Sequence, residues 1–395
     1  MRSKHILFIV ENNSVPGDVR VWNEVRAAKE FGYEVSVICP KREKTPKLYE
    51  RIEGVHIYRH FCPVEAGRTL AFLVEYANAV VWEFLLSVYV YFRRRFHIIH
   101  SANPPDMVFL IAVLYKVLGV RYVFDHHDIS PENYVAKFGR KDFIYSILLL
   151  MERLTFKVAD VVISTNESYK KIALERGSKI SGEVFVVRNG PNLKNVIRMP
   201  PSAKRKQGFA YLVVYVGTIG NQEGIDHLLN AVKYIVRTKR RNDIKFTIVG
   251  AGTHWSSLVS LSREMQIDQF VEFSGYVPYE DFYEIIASSD LCVNPEHRND
   301  FTDKSTMIKI MDYMTFGKPI VMFETMEGRV TAGDSAWYVK DNNDDDFAEA
   351  ILMLLQDEGK RKIMGDFGRR RVEECLQWDR QKDNLKQAYQ YLEVI

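Results

Sequence analysis

Four stretches place anion-binding and proton-handling residue types at turns rather than inside apolar runs. In DKSTMIKIMDYMTFGKPIV (303–321), Met307, Ile310, Met311 and Met314 recur at i, i+3, i+4 and i+7, which predicts the buried stripe of a helix. Ser305, Lys309 and Asp312 share another face. Ser305 or Thr306 is expected to cap this helix, leaving N–H groups and the positive dipole end beside Asp303 and Lys304, a setting suited to a phosphate. The competing reading is a surface helix with a Lys309–Asp312 pair. In ENNSVPGDVRVWNEV (11–25), Gly17 lets a ligand approach the backbone where a helix begins, and Asp18 is either the cap of that helix or an acid near the ligand.

FDHHDISPENY (124–134) follows a strand. Adjacent histidines bracketed by Asp125 and Asp128 are expected to face a ligand rather than to pack, since carboxylates orient an imidazole or raise its pKa. A purely structural role, satisfying the loop backbone, is the other reading. Without a second His/Cys/Asp cluster at helical ligand spacing, no metal site is expected. The fourth stretch, YVGTIGNQEGIDHLLNA (215–231), carries Gly217, Gly220 and Gly224 between a strand and a helix, and IVGAG (248–252) repeats the theme. Such glycines either admit a phosphate or serve only the turn.

Short β-rich runs alternate with helical periods along the whole chain, the α/β pattern of parallel sheets flanked by helices. Seven strands are predicted in the first half (HILFIV, EVSVIC, VHIYR, FHIIH, RYVFD, DVVIST, EVFVV) and six in the second (YLVVYVG, IKFTIVG, FVEFSG, LCVNP, KPIVMF, AWYV). The aperiodic, basic NVIRMPPSAKRKQG between them reads as a linker. This predicts two doubly wound domains in tandem facing a central cleft, with ligands beyond the carboxyl ends of the strands. The expected boundaries are 1–190, a linker at 191–208, a second domain at 209–375 and a final helical segment at 376–395.

A chain of 395 residues, 47% hydrophobic and 27% charged, is long enough for two cores and too apolar for disorder. Cysteines 39, 62, 292 and 375 form no CxxC pair and the N-terminus lacks a cleavage-site pattern, so a reduced, cytoplasmic setting is expected. The net charge of +3 divides unevenly: residues 1–200 hold 29 Lys and Arg against 21 acids, residues 201–395 hold 25 against 30. A basic first half suits an anionic lipid surface or a phosphorylated acceptor; nothing points to nucleic acid. TLAFLVEYANAVVWEFLLSVYVYFRRRF (69–96) is interrupted by Glu75, Asn78 and Glu83, so it does not read as a membrane span. It reads either as a helix lying on an anionic surface, with Arg93, Arg94 and Arg95 at its end, or as a buried crossover helix; FIYSILLLMERLTFKVAD (143–160) is similar in character.

In order, VPGDVRVWNE, YEVSVICP, FDHHDISPENY, ADVVISTNES, VVRNGPN, VGTIGNQEGIDHLL, FSGYVP, DKSTMIKIMDYMTFGKPIVMFE and TAGDSAWYV resemble the retaining glycosyltransferases of family 4, and the likeness covers nearly the whole chain. The resemblance implies the GT-B fold, with the segment around Trp378 returning to the first domain. It also implies transfer of a sugar from a nucleotide-diphosphate sugar with retention and usually without metal. A uridine donor is favoured over a guanosine one. A glycan or polyprenyl-linked acceptor is expected, and the charged, aromatic-rich first half suits a cytoplasmic protein that can meet the inner membrane face.

Carried over by position, Asp312 holds the ribose hydroxyls, and Ser305, Thr306 and Met307 form the phosphate-facing helix start. Tyr276 and Val277 lie where the base is read, Gly17 lies near the diphosphate, and His127 contacts the transferred sugar. His127, Asp128 and Asp18 are the candidates for proton handling. The chain also departs from the family. Lys304 stands where many members have a Glu, and Thr218 and Glu223 replace an Arg and a Lys that neutralise the diphosphate; Lys304 and Lys309 are expected to supply that charge. These departures keep open a catalytically silent subunit, and a sugar-nucleotide 2-epimerase of the same fold is the third reading.

Overall fold

Apolar runs such as HILFIV, buried on both faces, form central strands of parallel sheets, where helices cover each side and no polar alternation is needed. The computed structural model describes residues 4–61, 69–197 and 199–394, and the side chains of the helix starting at Thr69 only from residue 78 onward. Cys62 and the side chain of Glu75 lie outside the described residues. Cys39 and Cys292 are buried thiols.

The chain divides into two compact units, Met1–Asn189 with Gln381–Ile395, and Gly190–Arg380. Unit 1 holds strands β1 His5–Val10, β2 Glu34–Pro40, β3 Tyr49–Ile52, β4 Val55–His60, β5 Ile98–Ala102, β6 Arg121–His126, β7 Val161–Ser164 and β8 Val184–Val186. They form one sheet in the order β3-β4-β2-β1-β5-β6-β7-β8. Only β3 is antiparallel, and it was not expected from the sequence. It pairs with β4 through a two-residue turn in which Glu53 (φ 51) and Gly54 (φ 82) are both left-handed. Glu53 is a poor residue for that turn, but Arg26 and Lys29 hold it in place. The end of the chain packs on this unit: Tyr389 Oη lies 2.8 Å from His100 Nδ1 and Asn384 donates to the Val186 carbonyl.

Unit 2 holds β9 Tyr211–Val216, β10 Ile244–Val249, β11 Val271–Gly275, β12 Leu291–Asn294, β13 Ile320–Phe323 and β14 Ala336–Val339, ordered β11-β10-β9-β12-β13-β14 and all parallel. The strand order reverses between β1 and β5 in unit 1, and between β9 and β12 in unit 2. Those are the crevices where an open α/β sheet accepts ligands. One core layer of unit 2 is built on Tyr215, Phe246 and Phe347, the other on Ile310, Met311 and Met314.

The stretch 69–96 forms a helix over Thr69–Arg94. Among the described residues, no helix is long and apolar enough to cross a membrane. Right-handed crossovers put this helix, the helix Phe109–Lys116 and the helix Phe143–Val158 on one face of the unit 1 sheet.

Candidate functional site

In unit 2 the loops after β9 and β12 meet at the reversal point. Gly224 opens the helix Ile225–Lys233 with φ +68, and a Cβ there would lie 2.1 Å from the Pro295 carbonyl. A Cβ on Gly250 would lie 1.8 Å from the Gly217 carbonyl. Gly224 and Gly250 are therefore required by loop-on-loop packing. The atoms nearest a Cβ on Gly220 belong to the Gln222 side chain, and Thr218 contributes its carbonyl to the Tyr215 hydroxyl.

Lys309 does not face outward. It is 9% exposed, and its ammonium is held by Glu296, by Glu223 at 2.9 Å and by the Tyr215 hydroxyl at 3.2 Å. The Lys309–Asp312 pair is absent from the described structure for this reason. Burial by itself would lower Lys309, but Glu296, Tyr215 and Glu223 outweigh it and hold the ammonium well above its ordinary pKa. Burial, opposed by Lys309 and reinforced by Glu223, pushes Glu296 up to about 7. The charge expected to meet a diphosphate is thus committed to two carboxylates.

The helix of DKSTMIKIMDYM starts at Ile308, with Met307 as its N-cap and no side-chain capping bond. Ser305 does not cap it: its hydroxyl closes the preceding turn by donating to the Phe301 carbonyl at 2.8 Å, and Thr306 stands one residue too early. Asp303 accepts from Met326 N at 2.8 Å and pairs with Arg298, so it ties its own loop to the next helix. Lys304 is half-buried beside this start. Asp312 lies one turn on, half-buried, and burial alone pushes its carboxyl up to about 7. Tyr276 is 72% exposed after β11, and Val277 packs on the core beside it.

Unit 1 gathers a second group where β1, β5 and β6 end. The helix Val19–Glu30 is capped by Asp18, which accepts from Val21 N at 3.0 Å, and a Cβ on Gly17 would press on the Ser14 carbonyl. Asn103, after β5, fixes the loop after β6. Its Oδ1 accepts from the backbone N–H groups of His127 and Asp128, and its Nδ2 donates to the Asp128 carbonyl. The two histidines separate. His126 is buried among Phe124, Phe156 and Tyr169, and desolvation pushes it down to about 3; it is a packing residue, because the sheet and its covering helices close over the strand end. His127 stays partly exposed, its Nε2 against Arg20 and Asp125. Asp128 accepts from Asn133 at 2.8 Å, and burial raises its pKa.

Arg20 organises this group. It pairs with Asp125 at 2.8 Å and Glu24 at 3.1 Å and donates to the Val187 carbonyl and Asn189 Oδ1. Burial would raise Asp125, but Arg20 and His127 hold it well below the carboxylate range; burial and Asp125 push Glu24 the other way. Arg20, Glu24 and Asn103 were not among the residues expected from the sequence. A usable signal was present: Arg20 and Glu24, four apart, lie on the same stripe as Val21, Val25 and Ala28, and a charged pair on an apolar stripe needs a buried partner.

Two sequence families match this chain, "Glycosyl transferase 4-like domain" over residues 17–190 and "Glycosyl transferases group 1" over 210–357. The chain belongs to the family 4-type glycosyltransferases of GT-B fold. This glycosyltransferase is similar to two uncharacterised ones from Methanocaldococcus jannaschii. One is 24% identical over 88% of this chain and 87% of that relative; the other is 21% identical, and the match spans 61% of this chain and only 60% of that relative. It is 25% identical to the capsular polysaccharide biosynthesis glycosyltransferase CapM of Staphylococcus aureus over 59% of this chain and 62% of CapM. Among solved structures, a sucrose-phosphate synthase from Thermosynechococcus elongatus superposes with a TM-score of 0.80 at 17% identity, covering 99% of both chains. HepE from Anabaena, in complex with UDP-glucose, superposes with a TM-score of 0.72 at 14% identity, covering 99% of this chain and 100% of HepE.

Proposed function

We propose that this glycosyltransferase moves a sugar from a uridine-diphosphate sugar to a glycan or lipid-linked acceptor with retention at the anomeric carbon. In this reading the donor sits on unit 2 and the acceptor on unit 1. The observation that carries it is the helix start at Met307–Ile308, which has no side-chain cap, with Lys304 beside it and Asp312 one turn on. N–H groups, dipole and ammonium favour the diphosphate, whose charge grows as it leaves. The Asp312 carboxylate accepts from the ribose hydroxyls and Tyr276 stacks near the base. HepE, solved with UDP-glucose, and CapM, named for capsular polysaccharide, support the donor and acceptor classes.

His127, held by Arg20 and Asp125, contacts the transferred sugar. Asp18 and Asp128 are occupied as a helix cap and a partner of Asn133, so neither is assigned as nucleophile or base. The leaving phosphate takes the acceptor proton on the same face, and no metal enters the step. No observation favours the silent subunit or the epimerase.

Thermal-shift screening tests the donor. A UDP-sugar at 100 times its Kd should add about 2.7 kcal/mol of stability. Asp312→Ala should abolish this and the slow hydrolysis of the donor, while Lys304→Ala should weaken donor binding about tenfold at unchanged stability, about the effect of one charge-assisted contact. Because Asp312 ionises near 7, wild-type affinity should rise between about pH 6 and about pH 8, and Asp312→Asn should flatten that rise. Equal affinity in wild type and Asp312→Ala would refute the assignment.

A peripheral position at an anionic membrane belongs to the same reading. Leu110, Val113, Leu114, Val117 and Leu118 recur at helical spacing as exposed residues, with Val117 88% exposed, and Phe92 is 85% exposed on the neighbouring helix beside Arg93. The two helices pack on each other through Ser87 and Tyr91 against Tyr115, and each presents exposed apolar side chains of the kind that mark an interaction surface. Phe92→Asp combined with Val117→Asp should cut binding to phosphatidylserine-containing vesicles at least tenfold, as two apolar side chains each contribute about 1.5–3 kcal/mol. Unchanged co-sedimentation would rule this surface out.

A further inference from the structure

Unit 2 brings two histidines and an aspartate together from three separate segments at the carboxyl edge of its sheet. His227 stands in the first turn of the helix after β9, His297 lies in the loop after β12, and Asp344 opens the helix Asp344–Gln356 after β14. His227 Nδ1 lies 3.2 Å from Asp344 Oδ2, and His297 Nε2 lies 3.1 Å from Asp344 Oδ1. One ligand atom from each of the three lies within 4.8 Å of the others. A tetrahedral ion with bonds of about 2.0–2.1 Å spaces neighbouring ligands by about 3.3–3.4 Å, close to these two separations. The two imidazole rings stack, with centroids 3.3 Å apart and planes 19° from parallel, so binding an ion turns one ring out of the stack to bring both lone pairs onto it.

The surroundings hold these groups in place. Asn230 donates to Asp344 Oδ2 at 2.8 Å. Asp226 Oδ2 lies 3.9 Å from Nε2 of His227, beyond hydrogen-bond distance but close enough to favour a positive charge there. The Phe323 ring meets His297 edge-on at 4.5 Å. Arg298 N donates to Asn342 Oδ1 and Asn342 Nδ2 donates to the Arg298 carbonyl, which joins the loop after β12 to the one before Asp344. All three side chains keep between 20% and 28% of their surface in solvent, so an ion can enter. The grouping of Glu24, Asp125 and His127 in unit 1 differs, since the Arg20 guanidinium already occupies it.

We propose that His227, His297 and Asp344 bind one divalent ion of the zinc class, with water in the fourth position, and thereby clamp the loop 295–304. Two imidazoles and one carboxylate select zinc or cobalt over magnesium or calcium, which prefer oxygen ligands throughout. The clamped loop runs directly into Lys304 and Ser305, so the ion steadies the start of the donor-side helix without touching reacting atoms.

The test uses the full chain, free of affinity tags and stripped of metal, titrated calorimetrically with Zn2+ alone. One ion per chain is expected, and His297→Ala and Asp344→Asn should each weaken binding about thirtyfold or more. Co2+ should give the visible absorption of a tetrahedral nitrogen/oxygen site in the wild type and lose it in both variants. His227→Gln serves as a third variant if either of the others melts earlier than the metal-free wild type. Absence of one-to-one binding, or undiminished affinity in the correctly folded variants, would overturn the site. Because binding is read without turnover, its failure is separable from failure of the transferase reading.

Discussion

Replacing Arg20 with Met is expected to cost about 3–5 kcal/mol of stability, the range for removing one partner of a buried ion pair. The guanidinium is buried, makes two ion pairs and also donates to the Val187 carbonyl, Asn189 Oδ1 and His127, so its loss leaves Asp125 charged and desolvated with only the imidazoles of His127 and His100 beside it. In a unit of this size the melting temperature should fall by about 10 °C. Arg20→Lys should recover only part of the loss, since an ammonium cannot reproduce the planar fork. Adding Asp125→Asn to Arg20→Met should restore stability, because the uncompensated charge rather than the missing bond dominates the cost. A change within about 1 kcal/mol for Arg20→Met would show that water reaches the site and that the network is not sealed. Turnover should fall with stability in every variant that lets the His127 ring move.

Lys309→Met is expected to be nearly as damaging, and its cost should depend on pH. Glu296, raised to about 7, and Glu223 would lose their shared cation. Carboxyls left in a low-dielectric site take up protons, so the variant should approach wild-type stability at about pH 5 and lose about 3–5 kcal/mol by about pH 8. The sign follows from proton uptake. The folded variant binds more protons than the unfolded chain, in which Glu296 titrates near about 4.3, so its stability falls as pH rises through the folded pKa of Glu296. Urea denaturation at several pH values measures this, and a pH-independent cost would mean that the lysine matters only through packing. Lys304→Ala makes the contrast: donor binding should suffer there while stability stays unchanged.

Both sheets were legible in the sequence because parallel strands buried on two faces must be written as continuous apolar runs, and such runs have few other uses. The Met307–Met314 stripe was legible for the same reason, since helical spacing needs no knowledge of the partner surface. Strand β3 was not, because its turn uses Glu53 in a left-handed conformation that distant Arg26 and Lys29 make tolerable. Gly224 and Gly250 were visible as glycines, but the carbonyls that exclude a Cβ come from segments 71 and 33 residues away.

The sequence by itself determined the fold class, the strand-end positions where chemistry can occur and the residue types available there. Tertiary structure decided which charges are spent. Lys309 is consumed by Glu223 and Glu296 and His126 by packing, whereas His127 and Lys304 keep some exposure. It also decided that His227, His297 and Asp344 are neighbours. Pairing of charges depends on distances between segments far apart in the chain, and residue spacing carries no record of those distances.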